Sequence, residues 1–136
     1  MNVYAFDVDE TLEVSNGPVR LASLMQLRLD GHVVGLCGNW GLFVQRVPNW
    51  HKYVSFVNCA PPLFVQQLNA APVRMDKAWF LQELQRYIPA ADYVMVGNRP
   101  GRTNSLGVVT HSEDEEAARI AGWRFLLEDE FAKGAR

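Results

Sequence analysis

Apolar residues fall in short blocks along this chain, divided by glycine, proline and small polar residues, and the spacing within the blocks alternates between two periods. Val3 to Val8 (VYAFDV) is apolar apart from Asp7, as in a strand covered on both faces. After the Asn16-Gly17-Pro18 break, Leu21, Leu24, Met25 and Leu29 recur at helical spacing from Pro18, a favoured first helical residue, to the Asp30-Gly31 stop. His32 to Cys37 predicts a second strand, Gly41 to Val47 a weaker helix, and Tyr53 to Val57 a third strand. Pro61-Pro62 can open a short helix through Leu68. A stronger helix starts at about Asp76, a plausible N-cap, carries the stripe Phe80, Leu81, Leu84, Tyr87 and Ile88, and stops at Pro89. Tyr93 to Val96 and Leu106 to Val109 predict a fourth and a fifth strand. Ser112 with Glu115 predicts a capping box for a helix running to Gly122, and a last strand lies near Trp123 to Leu127. Strands alternating with helices predict an α/β fold, a three-layer doubly wound parallel sheet.

Length and composition narrow the class. The 136 residues make one domain, 1–136, at about 150 residues per domain. An apolar fraction of 49% with 21% charged residues excludes a disordered or collagen-like chain. No apolar run reaches the roughly 18 residues of a membrane span. The start, MNVYAFDVDE, has no basic region, so it is no signal peptide and the expected location is cytoplasmic. A formal net charge of −2 argues against a broad nucleic-acid footprint. Cys37 and Cys59 have no ligand at zinc spacing and read as reduced core thiols, and His32, His51 and His111 show no ligand spacing either.

In parallel sheets the chemistry gathers beyond the carboxyl ends of the strands. Strand 1 runs out in Asp7-Val8-Asp9-Glu10-Thr11. Two carboxylates so close repel each other unless a cation offsets them, while an acidic turn bonded to its own backbone is the plainer alternative. At the end of strand 2, Cys37-Gly38-Asn39 could offer N–H donors to an oxyanion or be a simple turn. Lys77 opens the strong helix, at the end where the macrodipole disfavours a cation, which suggests an anionic partner. The loop after strand 4, Gly97-Asn98-Arg99-Pro100-Gly101-Arg102-Thr103-Asn104-Ser105, lacks the spacing of a Walker loop. Arg99 and Arg102 are either a fork for a phosphate or solvated loop residues.

The order F-D-V-D-E-T-L, V-V-G-L-C-G-N, Lys77 at a helix start and Y-V-M-V-G-N-R-P resembles the haloacid dehalogenase (HAD) superfamily of phosphohydrolases, over about residues 3 to 127. The resemblance implies a Mg²⁺-dependent phosphatase in which Asp7 is the nucleophile that forms an aspartyl-phosphate, Asp9 the general acid and base, and Lys77 the charge balance. It implies Mg²⁺ held by Asp7, the Asp9 carbonyl and Asn98; Thr11, Cys37, Gly38, Asn39, Arg99 and Arg102 are the candidates to bind a substrate phosphate. Family members carry Ser or Thr where this chain has Cys37, and acids where it has Asn98 and Asn104, so a weakened metal site and a slow enzyme are expected. The alternative is a non-catalytic HAD-like domain that binds a phosphorylated ligand or a protein. A phosphorylation-receiver domain is disfavoured, because the end of strand 3, Ser55 to Cys59, has no acid. The intervals 12 to 32 and 38 to 76 are too short for a folded cap over the site. An open site points to a large or chain-end substrate, or to a lid from a second subunit in a homo-oligomer. A nucleic-acid end fits that openness but is not indicated by the net charge; no membrane partner is expected.

Overall fold

Strand β1 (Asn2–Phe6) lies in the middle of a five-stranded sheet with β2 (Val33–Leu36) and β3 (Phe56–Val57) on one side and β4 (Asp92–Gly97) and β5 (Arg124–Leu127) on the other. The computed structural model of the chain describes residues 1–58, 76–110 and 112–136. All pairings are parallel, with Val3 opposite both Val33 and Tyr93. The chain moves outward from β1 to β3 and then returns to place β4 against the free edge of β1. That reversal is the topological switch point at which doubly wound sheets open a crevice.

Side chains alternate across a strand, so β1 sorts its residues between two cores. Tyr4 and Phe6 point to one face, where they meet Leu24 and Leu27 of α1 (Leu21–Leu29), Phe43 of α2 (Trp40–Arg46) and Phe131 of α5 (Glu128–Ala132). Val3 and Ala5 point to the other, against Ala78 and Leu81 of α3 (Lys77–Tyr87) and Ala117 and Ala118 of α4 (Asp114–Ala121). The result is a three-layer α/β sandwich. No helix among the described residues is long and apolar enough to cross a membrane.

Helix boundaries follow local donors. Asp76 caps α3 by accepting the Trp79 N–H at 3.0 Å. Helix α1 begins at Leu21 rather than Pro18, because Val19 is drawn into a bridge with Leu12; its first turn is capped by Glu13, whose Oε1 accepts the Leu21 N–H at 2.9 Å. Helix α4 starts at Asp114 after Glu113, so Ser112 does not form the expected capping box. Tyr87, expected on the apolar stripe of α3, is exposed. The third strand is shorter than expected, since Trp50–Lys52 turns as a 3-10 helix and carries Val54 with it.

Leu106 to Val109 is not a sheet strand. Thr103 bridges Val109 antiparallel and the Asn104 N–H donates to the Val108 carbonyl at 2.9 Å, so the segment closes into its own small hairpin. Leu106 and Val109 are exposed there, which removes the burial that would hold them against a sheet. The helix expected from Pro61 to Leu68 lies outside the described residues.

Candidate active site

Asp7 is the first residue past β1, and its N–H still donates to the Val96 carbonyl at 2.9 Å. The period of two puts its side chain on the same face as Val3 and Ala5, toward α3 and α4. Lys77, at the start of α3, reaches Asp7 Oδ1 at 3.0 Å and Asp114 Oδ1 at 2.6 Å. Asp114 is wholly buried in the first turn of α4, and its Oδ2 accepts the Asn98 N–H at 3.1 Å. Two glycines make room: a Cβ at Gly38 would lie 2.3 Å from Asp7 Oδ1, and one at Gly97 would lie 2.3 Å from Asp114 Oδ2.

With both carboxyls ionised, two carboxylates around one ammonium would leave this buried group with a charge of −1. Burial pushes the Asp7 carboxyl up to about 8, and Asp114 adds to the rise while Lys77 opposes it. For Lys77, burial works against its charge, but Asp7 and Asp114 outweigh it and hold the ammonium above its ordinary value.

Asp7 and Lys77 open onto a cleft of about 420 Å³ that is also lined by Asp9, Glu10, Gly38, Asn39, Asn58 and Ser112. Asp9 is oriented there by Ser15, whose hydroxyl donates at 3.0 Å, and by the Asn39 amide at 3.3 Å. Asn39 also caps α2, accepting the Leu42 N–H. The Gly38 N–H donates to Asn58 Oδ1 at 2.8 Å, so Asn58 already takes up the donor expected for an oxyanion.

The other expected phosphate contacts fall elsewhere. Cys37 is buried in the apolar layer under α3, with its thiol pushed up to about 12 by burial, and does not line the cleft. Thr11 is also buried; its Oγ1 accepts the Asn98 amide at 3.1 Å. Arg99 pairs with Glu115 at 2.6 Å on the surface. Arg102 forks onto Glu128 and Asp129 of α5. Both cations are occupied by carboxylates because the first turns of α4 and α5 are acidic and face this loop.

Burial pushes the Glu128 carboxyl above its ordinary range, and Arg102 works against that rise. Arg102→Ala is expected to destabilise the fold by about 3 kcal/mol, since it strands a buried carboxylate. Urea unfolding checks this, and a loss below about 1 kcal/mol, typical of a surface pair, would mean the fork does not hold the loop.

Among the described residues no three His, Cys, Asp or Glu side chains are grouped to hold a metal. A hard cation can also take amide and backbone oxygens. Asp7 Oδ2 and Asn98 Oδ1 are buried oxygens with no hydrogen-bond partner, and the group beside them carries a net negative charge once Asp7 ionises. That donor chemistry fits Mg²⁺.

Asp114, Asn58 and Ser112 were not candidates from the sequence. Asp114 stands among Glu113, Glu115 and Glu116, and only its position on the buried side of α4 separates it from ordinary first-turn acids. No protein-family model, curated protein or solved structure matches this chain.

Proposed function

We propose that the chain is a Mg²⁺-dependent phosphohydrolase of the HAD type, a phosphomonoesterase working through an aspartyl-phosphate on Asp7. The observation that carries this reading is the buried Asp7 carboxylate at a parallel-strand end, 3.0 Å from Lys77 Nζ, on a cleft it shares with Asp9. An Asp7 oxygen attacks the phosphorus, forming the acyl phosphate as the bond to the leaving oxygen breaks. Asp9 gives its proton to that leaving oxygen. It then takes a proton from the water that attacks phosphorus, and inorganic phosphate leaves with Asp7 regenerated.

Lys77 holds Asp7 in place and offsets charge on the phosphoryl oxygens. Asp7 Oδ2, Asn98 Oδ1 and the Asp9 carbonyl would hold Mg²⁺. When bound, the ion supplies the remaining positive charge that lets an anionic carboxylate approach a phosphate ester. A nucleic-acid end is not part of the proposal, because Arg99 and Arg102, its expected holders, are paired within the chain.

A second reading, a non-catalytic domain that binds a phosphorylated ligand, is favoured by one feature: Asn98 is neutral where an acid would strengthen the ion's site. Hydrolysis of p-nitrophenyl phosphate with Mg²⁺ separates the two. The expected result is slow turnover that disappears in Asp7→Asn. Equal rates for the two proteins would sink the phosphatase reading and leave the binder.

A further inference from the structure

Asn98 and Asn104, the two positions where the strand-4 loop has amides in place of acids, both donate into the loop that carries Asp9. Asn98 Nδ2 donates to the Asp9 carbonyl and to Thr11 Oγ1, each at 3.1 Å. Asn104 Nδ2 donates to the Asn16 carbonyl at 3.2 Å and the Glu10 carbonyl at 3.4 Å. Backbone carbonyls only accept, so a carboxylate at either position could not bond the Asp9, Asn16 or Glu10 carbonyls. Asn104 uses its other end as well: Oδ1 accepts the Leu106 N–H at 2.9 Å and the Val108 N–H at 3.0 Å. Nearly buried, it joins two loops far apart in sequence and has a partner for each amide atom.

The Asp9 loop needs such a clasp. Glu10 has φ 55°, in the left-handed region that disfavours a side chain, and this turn reverses the chain directly after Asp9. Inside the loop, the Glu10 N–H donates to the Ser15 carbonyl at 2.7 Å, which sets Ser15 to hold the Asp9 carboxylate. The clasp itself has a fixed base. Arg102 and the Ser105 N–H, on either side of Asn104, are bound by Glu128 and Asp129 of α5.

We propose that Asn104 is a positioning residue for Asp9: its amide, anchored through the hairpin to α5, holds the Glu10 turn so that the Asp9 carboxyl stays fixed in the cleft it shares with Asp7. Asp9's part in the reaction rests on the phosphatase reading; the clasp does not. A loosened Asp9 harms the protonation of a poor leaving group far more than the departure of a good one.

The test uses the full chain with Asn104→Asp. This variant keeps an acceptor for Leu106 and Val108 but turns both donor contacts into repulsion. Hydrolysis of an alkyl phosphate should fall by about 30-fold, a part of the roughly 100- to 10,000-fold that a positioned general acid contributes. Hydrolysis of p-nitrophenyl phosphate, whose leaving group needs little protonation, should fall by no more than about 3-fold. Equal losses on both substrates would mean a general structural role and overturn the proposal.

Amide hydrogen exchange gives a reading that needs no activity. Glu10, Ser15 and Gly17 should exchange at least about tenfold faster, as in a local opening, while Val3–Phe6 and Val94–Val96 keep their protection. Unchanged exchange from Glu10 to Gly17 also overturns the proposal. If the parent protein hydrolyses neither ester, the phosphatase reading fails and the exchange result alone decides the clasp. Asn104→Ala, which buries no charge, gives the same two comparisons should the aspartate variant not fold.

Discussion

Asp7→Asn is expected to raise the melting temperature of the metal-free protein at pH 8 while leaving it almost unchanged at pH 4. In the folded chain Asp7 holds its proton up to a pKa of about 8, against an ordinary value of 3.8. A group whose pKa rises on folding contributes stability that is complete below the ordinary value and is lost as pH climbs through the folded one. The wild type therefore loses stability between about pH 4 and pH 8 through this group, and the asparagine variant does not. At about 1.36 kcal/mol per pKa unit the full shift would be worth several kcal/mol; allowing for relaxation, roughly 3 kcal/mol is expected at pH 8. In a chain of this size that is about 10 °C.

The asparagine side chain could still accept from Lys77, and the buried group would become neutral with Asp114. Mg²⁺ should narrow the gap, because an ion held by the wild-type carboxylate stabilises the folded state by mass action. Thermal melts of both proteins across this pH range, with and without Mg²⁺, check it. A gap that does not grow with pH would show that Asp7 is not strained by its surroundings. A site residue that weakens the fold is the usual trade of stability against function.

Lys77→Met should have the largest effect of opposite sign. Methionine keeps most of the side chain's length but strands the buried Asp114 carboxylate and, once it ionises, Asp7 as well, and removing one partner of a buried pair costs about 3–5 kcal/mol. The loss should be nearly constant below about pH 8, where Asp7 holds its proton in both proteins, and grow above it, where wild-type Asp7 ionises beside Lys77 and the variant's Asp7, without its main lowering influence, does not. The pairing can be isolated with a double variant. Lys77→Met together with Asp7→Asn should recover about 2 kcal/mol relative to the sum of the separate changes, a coupling typical of groups in contact. Strict additivity in urea unfolding would argue that the 3.0 Å contact between Lys77 and Asp7 is not an energetic pair.

The residues most visible in the sequence were those whose placement depends on their own short segment. Asp7 and Asp9 stand at the end of an apolar run patterned as a covered strand, and Lys77 follows a capping aspartate, so their position at strand and helix ends could be read directly. Arg99 and Arg102 looked equally available, but their partners, Glu115, Glu128 and Asp129, lie on later elements. Whether a long cation is free for a ligand depends on which carboxylates the fold brings beside it. Asn98 and Asn104 show the same limit differently. As letters they are missing charges; in place they are donors to the Asp9 loop.

Local pattern alone determined the alternation of strands and helices, the parallel three-layer class, and the placing of Asp7, Asp9 and Lys77 at strand and helix ends. These depend on the periods of two and 3.6 and on end signals, which act over a few residues. Tertiary structure decided the rest. It made Leu106–Val109 a hairpin rather than a strand, put Asp114 against Lys77, drew the two arginines into ion pairs and gave both asparagines to the Asp9 loop. Each of these contacts joins groups from separate elements, and its energy comes from burial and charge neighbours that exist only after the sheet has brought those elements together.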